Sequence, residues 1–139
     1  MQKLRIDYRS VRRLGTERST MRILSVSYDE LLLRMRHMIL ENEGYAVVST
    51  HGFDQSLEQS RRGGFDLFVL GHSIPNQDKR QLVETFRREC AAPIISLTRG
   101  ASEQRVDGAD FHIDPDPEPL LNLISEIAKQ NRASIPDSD

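Results

Sequence analysis

Four apolar runs in this 139-residue chain end on polar or ionisable residues, and those endings hold its candidate chemistry. Ser27, Tyr28 and Asp29 follow RILSV, Gly71 and His72 follow DLFVL, Thr98 and Arg99 follow PIISL, and Asp114 follows Ala109 to Ile113. An imidazole with two carboxylates (His72, Asp29, Asp114) is a chemically sound metal set, but no HxxxH or CxxC spacing accompanies it. A second reading has the pocket closed by its own groups: Tyr28 fills it while Arg99 and Asp114 pair as opposite charges at neighbouring strand ends. A third makes His72 or Asp78 a phosphoryl acceptor, although Asp78 also suits a helix cap. His37 and His51 read as surface polar groups, and His112 alternates with core-facing Phe111 and Ile113. Cys90 has no neighbouring base in sequence to activate it. No GxGxxG, Walker-type or nucleophile-elbow pattern is present, and Gly63-Gly64 reads as a helix stop. No metal, cofactor or enzymatic activity is expected.

The elements that must position these residues alternate from Met21 onward. RILSV is a short buried strand; Leu31, Leu32, Met35, Met38 and Ile39 then repeat at helical spacing. Ser27 and Glu30 form a capping-box signature, and Gly44 stands where a helix end wants φ > 0. Ala46 to Ser49 reads as a second strand. Phe53 to Arg62 reads as a helix with Phe53, Ser56 and Leu57 inward. Asp66 to Leu70 is continuous and bulky, as a strand covered on both faces requires. Asp78 opens a third helix with Leu82, Val83 and Phe86 inward, followed by strands at Pro93 to Leu97 and Ala109 to Ile113. Asp116-Pro117 starts a last helix carrying Leu120, Leu123, Ile124 and Ile127 on one side. Five strands alternating with helices imply an α/β doubly wound parallel sheet, helices on both faces. Any site then lies at the carboxyl ends of the strands.

Composition narrows the function classes. The longest apolar runs are four residues, so no membrane span is expected, and Met1 to Thr20 has no apolar signal region. One cysteine excludes an internal disulfide framework and suits a cytoplasmic location. A net charge of -2 argues against a nucleic-acid footprint along the chain. Residues 1–20 differ from the rest: six basic residues against Asp7 and Glu17 give net +4, leaving -6 elsewhere. They are expected to be a basic, disordered leader, with one domain over 21–129 and a polar tail over 130–139.

The stretches MRILSV, LLLRM, LENEGYAVV, FDLFVL, SIP, PIISLT and DGADFHIDP, in this order, resemble the receiver domain of bacterial response regulators. The resemblance covers residues 21–129 and runs without a gap from Val26 to Tyr45. It implies a flavodoxin-like (CheY-like) sheet of order 2-1-3-4-5. The chemistry it implies is phosphoryl transfer onto an aspartate after the third strand, with magnesium held by two acids after the first. This chain departs from that pattern. The acid positions are Ser27 and Tyr28, the acceptor position is Gly71, and the product-binding lysine position is Asp114. Thr98 alone keeps its type, and Asp29 lies one place beyond the acid pair. Only RGASEQRVD separates Thr98 from Gly108, so the fourth helix is expected to shrink to a turn or two over 102–106. Phe111 matches the switch-aromatic position and is expected to be partly buried packing. The resulting expectation is a pseudo-receiver that works without phosphorylation by binding a protein: a kinase, a regulator or a copy of itself. The candidate surfaces are the first helix, with Arg34, Arg36 and Glu41 outward, and Arg99 to Asp116. The alternatives are a small-ligand or metal sensor and an atypical phosphoacceptor.

Overall fold

A computed structural model describes residues 20–99, 106 and 108–134. Its elements are β1 (Arg22–Ser27), α1 (Glu30–Asn42), β2 (Ala46–His51), α2 (Phe53–Arg62), β3 (Leu67–Leu70), α3 (Asn76–Glu89), β4 (Ile94–Leu97), β5 (Phe111–Ile113) and α4 (Pro117–Ser134). The five strands form one parallel sheet in the order β2-β1-β3-β4-β5. This is the 2-1-3-4-5 order implied by the resemblance. The expected short helix over 102–106 falls almost wholly outside the described residues, as do residues 1–19.

Strand alternation splits the core into two layers. Ile23, Leu67, Val69, Ile95 and Leu97 face Leu40 of α1 and Leu120, Ile124 and Ile127 of α4. Leu24, Val26, Phe68, Leu70 and Ile94 face Leu82, Val83 and Phe86 of α3, with Phe53 and Leu57 of α2 packed alongside. β3 and β4 are buried at every position, as strands covered on both faces must be.

Several boundaries differ from the sequence reading. β2 runs two residues further, to His51, and β5 begins two residues later, at Phe111. α4 continues past Gln130 to Ser134. The cap of α1 is Asp29 rather than a Ser27–Glu30 box: Asp29 Oδ1 accepts the Leu32 amide at 3.1 Å. Ser27 is still in the strand, so its hydroxyl faces other partners. Gly44 ends the helix at φ +97°, its amide reaching Glu41 O at 2.9 Å, a conformation that costs a residue with a Cβ. α3 starts at Asn76 with Pro75 in the cap position, so Asp78 lies inside the first turn and does not cap it.

Candidate functional site

The inward face of α1 is not the one its charges suggest. Leu33, Arg36 and Leu40 are buried, whereas Leu31, Met35 and Met38 are 58%, 49% and 67% exposed. Arg36, expected on the outside, is 8% exposed. Ser25, a small residue on the same sheet face, leaves room for it. Arg36 Nη1 donates to Ser25 Oγ at 3.1 Å and reaches Val26 O at 3.4 Å. Among the described residues it forms no salt bridge. Burial lowers its pKa from 12.5 to about 10, so it remains a cation at neutral pH.

Arg36 ends beside the acceptor position. A Cβ added at Gly71 would lie 3.1 Å from Arg36 Nη2 and 3.2 Å from Val26 O, tighter than ordinary packing. The absence of a side chain there is therefore matched by what surrounds it: a guanidinium and a backbone carbonyl occupy the approach.

Ser27 and Tyr28 have also found other partners. Ser27 Oγ accepts the Asp29 amide at 3.0 Å and lies 3.2 Å from Ser73 Oγ. Ser73 Oγ in turn accepts the Tyr28 amide at 3.0 Å. The Tyr28 hydroxyl donates to Asp78 Oδ2 at 2.8 Å. Partial burial and the adjacent Asp78 carboxylate push the Tyr28 pKa upward, which keeps the phenol protonated. His51 Nε2 lies 3.2 Å from Tyr28 O, so this histidine joins the edge of the cluster. Two neutral hydroxyls and one phenol-bonded carboxylate do not fit a hard divalent cation, which needs charged oxygen ligands.

Lys79 completes the edge and was missed in the sequence. It is 2% exposed, and its Nζ donates to Leu97 O at 3.0 Å, one residue before Thr98. Its spacing carried the signal: 79, 82, 83 and 86 share one helical face with Leu82, Val83 and Phe86. Arg36 and Lys79 thus bring two buried basic side chains to the carboxyl edge of the sheet, from opposite faces.

The remaining candidates are less concentrated than expected. Thr98 is buried, with its amide bonded to Ile113 O at 2.9 Å. Asp114 is exposed and forms no ion pair with Arg99, so the expected charge pair is absent among the described residues. No three His, Cys, Asp or Glu side chains group closely enough for a metal ion among the described residues, so His72, Asp29 and Asp114 do not assemble. Physically, they stand on separate strand ends and turns, and Asp29 is committed to its cap. His72 instead lines a cavity between α1 and α4. Phe111 is partly buried against the α1–α4 core. His37 bridges Ser49 Oγ (2.7 Å) and Glu41 (3.1 Å), and His112 Nε2 lies 3.0 Å from Val106 O.

The parallel order and two-faced covering define a flavodoxin-like α/β domain with its candidate site at the carboxyl edge of the sheet. No family model matches the chain. It is 30% identical over 94 residues to the transcriptional regulatory protein ResD of Bacillus subtilis, covering 67% of this chain and 39% of that protein. It is 28% identical over 123 residues to the uncharacterized transcriptional regulatory protein YkoG of the same organism, covering 83% and 54%. This chain thus spans about half or less of the length of these relatives. The CheY-like receiver domain of Methanospirillum hungatei superposes with a TM-score of 0.69 at 23% identity, covering 82% of this chain and 98% of that one. The response regulator TrrA of Thermotoga maritima, solved in complex with Mg2+-BeF, gives 0.68 at 23% identity, covering 78% and 99%. The chain is a response regulator receiver domain, a module of two-component signal transduction. Among the described residues no helix is long and apolar enough to cross a membrane.

Proposed function

We propose that this receiver domain signals without aspartyl phosphorylation, by binding another protein: a kinase, a regulator or a second copy of itself. The observation that carries the reading is Gly71 at the acceptor position, with Arg36 Nη2 3.1 Å from where a Cβ would be. Receiver phosphorylation needs a carboxylate nucleophile and a cation to neutralise the phosphoryl oxygens. Here the nucleophile position has no side chain, and the cation positions are spent on Ser73, the Asp29 amide and Asp78. Asp78 is already engaged by the Tyr28 hydroxyl, and His72 borders the α1–α4 cavity.

Leu31, Met35 and Met38 support the interaction role, because three large apolar side chains on one exposed helix stripe favour burial against a partner. The test is incubation of the full chain with acetyl phosphate and magnesium, followed by intact mass. No phosphoryl adduct is expected. An adduct mapped to His72 or Asp78 would replace this reading with an atypical acceptor.

A further inference from the structure

We propose that the cavity between α1 and α4 binds a small amphipathic carboxylate, its acid head on Arg36 and its apolar body between the helices. The cavity measures about 260 Å³ and is walled by Leu32, Met35 and Ile39 of α1 and by Pro117 and Leu120 of α4, with Arg36 among them. That volume is just below the ~300–1,000 Å³ typical of small-molecule sites, which favours a single ring or short chain over a nucleotide.

Arg36 gives this largely apolar space, which His72 and Asp116 also border, its selectivity for an acid. Its Nη1 is held by Ser25 Oγ and Val26 O, and among the described residues no carboxylate pairs with the guanidinium. A guanidinium carries parallel N–H donors, the pattern a carboxylate accepts in bidentate fashion. A buried guanidinium without an anion is costly, so a ligand that supplies one gains more here than at the surface. Asp116 also borders the cavity, but it is exposed at the rim, where water screens its charge.

The inference does not rest on the loss of phosphorylation, since the cavity wall includes none of Gly71, Ser27 and Tyr28. Met35 belongs both to the cavity wall and to the exposed stripe, so ligand and protein partner meet at one side chain.

The test uses the full chain with 4-phenylbutyrate and octanoate as probes and their alcohols as controls, read by amide NMR and thermal shift. The acids are expected to bind saturably, to raise the melting temperature, and to perturb amides of Leu32 to Ile39 and around Leu120. The alcohols are expected to bind about tenfold more weakly or less. Arg36→Met should erase the acid–alcohol difference. Met35→Trp, at a half-exposed position, should crowd the cavity and weaken the acids about tenfold without disturbing the core. Equal binding of acid and alcohol to the unmodified chain, or perturbations away from α1 and α4, would overturn the proposal.

Discussion

The two faces of the sheet are covered by different physics. Toward α2 and α3 the packing against the sheet is aromatic, with Phe68 stacked on Phe86 at 4.2 Å and 13°. The space left between these helices is bordered mainly by polar and charged side chains such as Arg61, Gln81 and Glu84. Toward α1 and α4 the same strands meet aliphatic side chains, a buried guanidinium and a cavity. α1 has apolar residues on more than one side and could have docked Leu31, Met35 and Met38 against the sheet. It docks Leu33, Arg36 and Leu40 instead. One face of this receiver is built to hold the fold; the other leaves both an apolar stripe and a hydrogen-bonding cation available to something else.

The contrast can be broken most forcefully on the aromatic face. Phe86→Ala is expected to cost about 3–5 kcal/mol, because a stacked aromatic is removed from a site with no room to collapse. Urea unfolding measures it, and a loss near 1 kcal/mol would show that face to be less well packed than its geometry implies.

Arg36→Met tests the other face at comparable burial. Replacing a buried cation that has no counter-charge among the described residues is expected to be neutral or stabilising by up to ~2 kcal/mol, even after losing the bond to Ser25. Because burial lowers Arg36 to about 10 against 12.5 unfolded, its penalty is present at neutral pH and lifts as pH rises between those values. The stability gain of Arg36→Met should therefore shrink above pH 10.

Tyr28→Phe sharpens the account of the sheet edge, with an expected loss of about 1 kcal/mol from the Asp78 hydrogen bond. The Tyr28 pKa is raised above its unfolded value of 10.0, so its contribution is full below that pH and declines above it. The stability difference between the variant and the parent should thus be full at pH 8 and shrink as pH rises above 10. Met38→Lys, on the exposed stripe, is expected to change stability by no more than ~0.5 kcal/mol while reducing partner binding or self-association, read by sedimentation. A large stability loss would mean the stripe is already committed within the fold.

How far these features could be read in the sequence depends on whether local pattern leaves one solution. LFVL and IISL admit little besides buried strands, and Gly63 and Gly44 end their helices through φ values of +75° and +97° that other residues avoid. Gly71, Ser27 and Tyr28 stand in register with the strand ends, so the missing acids were visible from their order alone. The partners of those residues were not. The Ser27–Ser73 and Tyr28–Asp78 contacts join positions 46 and 50 residues apart. The expected Arg99–Asp114 pair failed for the same reason: opposite charges on adjacent strand ends do not fix side-chain direction.

Sequence by itself determined the alternation of strands and helices, their order and the vacancy at the acceptor position, because these follow from local periodicity and residue identity. Only the tertiary structure decided which stripe of α1 turns inward. That choice depends on Ser25, a small neighbour on another strand, making room for a guanidinium whose long apolar stem can be buried while its head finds oxygen acceptors.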